Sequence, residues 1–141
     1  MIALIGARDR KTAHEKAVAQ FQSEFGSVRD QTYPDGRYEK ICRYYERHRQ
    51  GPVIDDITWN DLDMDAIYAR MDRTCSAAGE EYLYYMLRCA NADAQRVPSQ
   101  ETLQWWTGKE EERIRVQLAL QALGTTGKYS LYDYLDLLDD L

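Results

Sequence analysis

The chain has 141 residues, a net charge of −6, 44% hydrophobic and 30% charged residues. That length suits one domain burying roughly two-thirds of its unfolded surface, and the acidic balance argues against nonspecific attraction to nucleic acid by the chain as a whole. Three cysteines, odd in number and without Cys-x-x-Cys spacing, speak against a disulfide framework or zinc site and for a reducing, cytoplasmic location.

Met1 to Ala7 is apolar but too short for the ~20 residues that span a bilayer, and no cleavage site follows it. It reads as a frayed N-terminus, the alternative being the stub of an upstream membrane helix with Arg8, Arg10 and Lys11 on its cytoplasmic flank. The first predicted helix runs from about Thr12 to Phe25, with Ala13, Ala17, Val18, Phe21 and Phe25 at helical spacing and Gly26 as its stop. Tyr33-Pro34-Asp35-Gly36 predicts a turn, because proline fixes one dihedral and glycine accepts a positive one.

A second helix is predicted from Gly36 to Gln50, burying Tyr38, Ile41, Cys42 and Tyr45, with Gly51-Pro52 ending it. Val53 to Trp59 reads as an extended connector. Asp61 or Asp63 is then the expected cap of a third helix with Ile67 and Met71 inward. Ser76 is the expected cap of the fourth, where Tyr82, Leu83, Met86 and Leu87 form the apolar stripe and Glu80 and Glu81 complement the helix dipole. Trp59, Ile67, Met71, Leu83 and Leu87 are expected to share one core.

Pro98-Ser99 opens a segment with Leu103, Trp105 and Trp106 that breaks at Gly108. Glu110 to Leu123 is strongly helical, with Ile114, Leu118 and Ala122 in one line. Ser130 is the expected cap of a last helix bearing Leu131, Tyr134, Leu135 and Leu138. No strand-like alternation of useful length occurs. The pattern predicts an all-α fold, a bundle of about six helices, in which residues 1–35 (helix and turn) continue into a helical domain over 36–141.

The chemistry-bearing patterns are few. Counted from Asp61, acidic oxygens occupy positions one, three, five and twelve of a calcium loop, but Ala66 stands where that loop needs glycine and Asp72 replaces the bidentate glutamate. Gly108-Lys109 is followed by Glu110, and Gly127-Lys128 by Tyr129, so neither pair supplies a phosphate cradle with its magnesium-binding hydroxyl. Both read as turns. His14 and His48 are far apart and sit on polar helix faces, with nothing local to make either a catalytic base. No catalytic, cofactor or metal position is assigned.

Arg37, Lys40, Arg43 and Arg47 recur at three- and four-residue steps, a basic stripe opposite Ile41 and Tyr45. It reads as a solvated face; its alternatives are a contact with the acidic tail (Asp133, Asp136, Asp139, Asp140) or with a phosphate backbone. Among the aromatics, Tyr84 and Tyr85 cannot both share a core with Tyr82 and Leu83, so some aromatic surface needs a partner.

Thr58-Trp59-Asn60-Asp61-Leu62-Asp63-Met64-Asp65, followed by Met71-Asp72-Arg73-Thr74, Gly79-Glu80-Glu81-Tyr82-Leu83 and Met86-Leu87-Arg88, resembles the opening of the helical core, or lever, domain of MutS-type mismatch-repair ATPases. The form looks closest to MutS-related proteins without a mismatch-recognition domain. The resemblance covers about Arg37 to Arg88 and continues more weakly to Leu138. It implies that Trp59, Asn60, Asp61, Asp63, Asp65, Gly79, Glu80, Leu83 and Arg88 are structural, lever-forming residues. It also implies a non-catalytic segment transmitting movement between DNA-contacting and ATPase parts, with ATP and magnesium belonging to a full-length parent. The expected partners are the rest of such an ATPase or a second copy of the chain. DNA contact is expected to be weak or indirect, and membrane contact to need an upstream helix. A self-contained, or membrane-tethered, protein-interaction module is the alternative.

Overall fold

The computed structural model describes residues 2–29, 31–34, 36–89, 98–126 and 130–139. These form α1 (Ile2–Glu24), α2 (Tyr38–Ile41), α3 (Arg43–His48), α4 (Asp56–Asp61), α5 (Met64–Met71), α6 (Ala77–Arg88), α7 (Gln100–Thr107), α8 (Glu110–Ala122) and α9 (Leu131–Asp139). The all-α expectation holds, with a longer first helix and more numerous helices after it than the sequence pattern suggests. The one β-type pairing among the described residues is the isolated antiparallel bridge Val53–Cys89.

Each boundary has a local cause. α1 starts well before Thr12, since no proline interrupts the preceding run. It ends where Gly26 takes φ +74° and the Ser27 amide and hydroxyl donate to the Glu24 carbonyl, at 3.1 and 2.8 Å. The Tyr33–Gly36 turn is closed by the Arg37 amide donating to the Pro34 carbonyl at 3.1 Å; Asp35 lies outside the described residues. The helix expected over 36–50 is divided at Cys42 into α2 and α3. The ladder nevertheless crosses the division, with Cys42 N–H bonding Tyr38 O and Glu46 N–H bonding Cys42 O, both at 2.9 Å.

The expected connector from Val53 to Trp59 is instead half helix. The Asp55 carboxylate accepts the Thr58 amide at 2.7 Å, so α4 starts at Asp56. Asp61 is therefore inside a helix, not its cap. Asp63 precedes α5 but makes no side-chain cap; it takes φ 50° and ψ 46°, the left-handed joint between α4 and α5. Ser76 caps α6 as expected, its hydroxyl accepting the Gly79 amide at 3.3 Å. Ser99 caps α7 through Thr102 N–H at 3.1 Å. Ser130 and Asp133 form a reciprocal box at the start of α9, with bonds of 3.1 and 3.0 Å.

The core gathers Ile41, Tyr45, Trp59, Met64, Tyr68, Tyr84 and Cys89, with Leu83 and Leu87 packed on its edge. Trp59 thus joins the core as expected, whereas Ile67 and Met71 are 39% and 51% exposed. The inward face of α5 is Met64, Tyr68 and Ala69. Tyr68 fixes that rotation: its ring lies 5.7–5.9 Å from those of Tyr33, Tyr38 and Tyr84, and its hydroxyl donates to the Glu80 carbonyl at 3.0 Å. α6 is rotated as well. Its buried line is Ala77, Glu81, Tyr84 and Arg88, while Tyr82 is exposed and Leu83, Met86 and Leu87 are half-buried. Elsewhere α1 packs on α8 through buried Phe21 and Ile114, and the Arg113 guanidinium covers the Phe25 ring at 3.5 Å.

Candidate interaction surfaces

Of the candidate motif residues, Trp59, Leu83 and Arg88 gather at the core with Asp65 bonded to Trp59, while Asn60, Asp61 and Asp63 do not. Trp59 donates its indole N–H to Asp65 Oδ1 at 2.8 Å. Arg88 lies over the Trp59 ring at 4.2 Å and within 5.4 Å of the Tyr45 and Tyr84 rings. Its Nε donates to the Tyr84 hydroxyl and its Nη1 to the Ile54 carbonyl, both at 3.0 Å, while Nη2 meets Asp56 Oδ1 at 2.9 Å. The Ile54 amide answers by donating to the Arg88 carbonyl at 2.8 Å, so connector and helix end are clamped in both directions. A Cβ on Gly79 would meet Thr74 Cβ at 3.0 Å. Glu80 is paired with Arg37, and Leu83 packs against the core. Asn60 contributes only its backbone, its carbonyl accepting the Asp63 amide at 3.0 Å.

Asp61, Asp63 and Asp65 are exposed. Among the described residues no group of three His, Cys, Asp or Glu side chains could hold a metal ion. The Gly127-Lys128-Tyr129 turn lies outside those residues; Gly108 ends α7, its amide bonding the Gln104 carbonyl at 3.2 Å. His14 is exposed, and His48 stacks on Tyr44 at 4.3 Å.

The basic stripe meets acids of its own chain. Arg37 pairs with Glu80 of α6 and reaches the Thr126 carbonyl at 3.3 Å. Arg43 pairs with Glu46 at 2.9 Å, and Arg47 with Asp133 of α9 at 3.4 Å. Lys40 is half-buried on α2. Of the acidic tail, Asp133 is thus the member seen to engage the stripe, within the chain; the side chains of Asp136 and Asp139, and Asp140 altogether, lie outside the described residues.

Two features escape a reading by sequence spacing. Glu81 faces inward and accepts the Leu131 amide at 2.9 Å, anchoring the start of α9 to the middle of α6. Burial holds the Glu81 carboxyl above its usual range, the Leu131 N–H only partly opposing it. Glu80 is raised likewise by burial, against the lowering effect of Arg37. The second is the aromatic seam joining α3, α6 and α9: Tyr44 lies 4.8–5.9 Å from Tyr82, Tyr85 and Tyr132.

Apolar side chains remain outward on the last two helices. Val116, Leu120 and Leu123 repeat at helical spacing along α8, and Tyr134, Leu135 and Leu138 along α9, each 42–71% exposed. α9 is held at its first turn, by Glu81, Arg47 and Tyr44, while Leu135, Leu137 and Leu138 beyond that turn are 42%, 63% and 64% exposed. No helix among the described residues is long and apolar enough to cross a membrane. The chain matches no family model, no curated protein and no solved structure.

Proposed function

We propose that this chain is a non-catalytic, cytoplasmic helical interaction module that docks through the apolar stripe of α9 onto a second copy of itself. The observation that carries this reading is the contrast along α9. Its first turn is anchored by hydrogen bonds and an ion pair, which fixes the helix direction, while Tyr134, Leu135 and Leu138 are 42%, 42% and 64% exposed. Contiguous apolar surface of this kind is commonly covered by a partner. Sedimentation of the purified chain is the test. Concentration-dependent association that Leu135→Asp with Leu138→Asp abolishes supports the reading, and a compact monomer at high concentration refutes it.

A second reading takes the MutS resemblance further: the chain is a lever segment of a MutS-like, DNA-associated ATPase. It is favoured by the packing of Trp59, Asp65, Leu83 and Arg88 about one core. On that reading ATP, magnesium and DNA engagement belong to the rest of the parent. DNA contact by this chain is weak or indirect, through Arg37, Lys40, Arg43 and Arg47, and membrane contact requires an upstream helix. A Gly-x-x-x-x-Gly-Lys-Ser/Thr motif in the continuing reading frame supports it. Submicromolar duplex affinity or magnesium-dependent ATP turnover by the isolated chain contradicts it.

A further inference from the structure

Lined by no residue of α9, a cleft of about 690 Å³ opens between the end of α1, α8 and the α5–α6 connector. Its volume falls within the roughly 300–1,000 Å³ usual for small-molecule sites. Phe21 and Phe25 supply an apolar wall, and Arg29, Arg73 and Arg113 bring three guanidiniums to it. Among the described residues, buried side-chain polar atoms without a hydrogen-bond partner occur on Arg73 (Nη1), Arg113 (Nε), Gln117 (Oε1) and Glu81 (Oε2). All but Glu81 belong to this wall. Leaving a buried donor or acceptor unsatisfied is costly, so such atoms gathered at one cleft indicate a missing polar partner.

The charge balance narrows what that partner is. Glu80, also on the wall, is taken by Arg37 from outside it. Asp72 is engaged by Tyr33 and by the amide and hydroxyl of Thr74, the latter two at 2.8 and 2.6 Å. Glu24 stands 3.9 Å from Arg73 Nη1. Three guanidiniums therefore face two carboxylates, Asp72 and Glu24, a surplus of one positive charge that suits a monoanion and penalises a dianion. Two orphaned N–H groups ask for acceptors, as a carboxylate offers, and the Gln117 oxygen asks for a donor.

We propose that this cleft binds a small hydroxycarboxylate with an apolar body, its carboxylate on Arg73 and Arg113, its hydroxyl on Gln117 and its body against Phe21 and Phe25. The orphaned atoms are closed to solvent in the free chain, so ligand contact requires these side chains to rotate, Arg113 giving up its bond to the Trp106 carbonyl and Arg73 its bond to the Ser27 carbonyl.

Mandelate is the probe, followed by amide-resonance titration on the full chain. Saturable shifts at α1, α8 and the α5–α6 connector are expected. Mandelamide, which lacks the charge, should bind at least about tenfold more weakly, equivalent to about 1.4 kcal/mol. Phenylacetate, without the hydroxyl, should bind more weakly, and phenyl phosphate, a dianion, more weakly again. Mandelate should also protect Cys75, on the cleft wall, from alkylation while leaving Cys42 unprotected. Gln117→Leu should raise the thermal midpoint of the free chain, by removing an orphaned acceptor, yet weaken mandelate binding. Arg113→Met should weaken it too, and the exposed Arg115→Ala should not. Absence of saturable shifts up to about 10 mM, equal binding of mandelamide, tighter binding of phenyl phosphate, or unchanged affinity in Gln117→Leu overturns the proposal.

Discussion

Arg88→Ala isolates what the clamp between the connector and α6 contributes. The side chain is nearly buried, and it makes charge-assisted hydrogen bonds to the Tyr84 hydroxyl and the Ile54 carbonyl while lying over the Trp59 ring. Two such bonds contribute roughly 1.5 kcal/mol each at the low end, and the cation–ring contact about 1 kcal/mol. Asp56 is 88% exposed, so its ion pair adds only a few tenths of a kcal/mol, about the usual surface value. Release of the buried charge recovers part of the total, which leaves an expected loss of about 3 kcal/mol. For a chain of this size that corresponds to a fall of roughly 10 °C in Tm. Arg88→Met keeps an apolar stem over Trp59 and should lose about half as much, ~1.5 kcal/mol. Urea denaturation followed by circular dichroism gives the three numbers, with Asp56→Ala as the comparison. If Asp56→Ala costs as much as Arg88→Ala, or Arg88→Ala costs under about 1 kcal/mol, the clamp is not what holds the connector.

Other positions give sharper signs than sizes. Asp63→Gly should stabilise by about 0.5–1 kcal/mol, because residue 63 is left-handed and its carboxylate caps nothing; a loss in thermal denaturation contradicts this. Gly79→Ala should destabilise by about 1–3 kcal/mol despite alanine's helix propensity, since the added Cβ meets Thr74; a neutral or stabilised variant refutes the close approach. Glu80 and Glu81 both have raised folded-state pKa values, so their contribution is full below the ordinary carboxylate range and is lost as pH rises through the folded values. Glu81→Gln should therefore flatten the stability loss between acid and neutral pH, which denaturation at a series of pH values measures. An unchanged pH profile would show that Glu81 is not held against its charge.

The helices were largely legible in the sequence, and their rotations were not. Ser76, Ser99 and Ser130 announce helix starts through bonds made within three residues, and Gly26 announces a stop in the same local way. Which face turns inward depends on distant partners. Hydrophobic spacing points Tyr82 and Leu83 of α6 toward the core, yet Glu81 and Arg88 go inside because the Leu131 amide and the Ile54 carbonyl await them. Similarly, Ile67 and Met71 yield to Tyr68, whose hydroxyl finds the Glu80 carbonyl. The basic stripe was visible as a pattern, but its pairing with Glu80 and Asp133 joins positions far apart in the chain. The α1–α8 cleft had no counterpart in the pattern, because its arginines come from three separate segments.

The placement of the tryptophans gives the molecule two built-in optical reporters. Trp59 is buried beneath Arg88 with the Tyr84 ring 5.0 Å away, whereas Trp105 and Trp106 lie edge to face, 4.8 Å apart, on α7. In a Trp105→Phe, Trp106→Phe background, tryptophan emission follows the central block alone. Emission in a Trp59→Phe background follows α7 alone. Comparing the two signals through a denaturation curve reveals whether these regions melt as one cooperative unit or in succession.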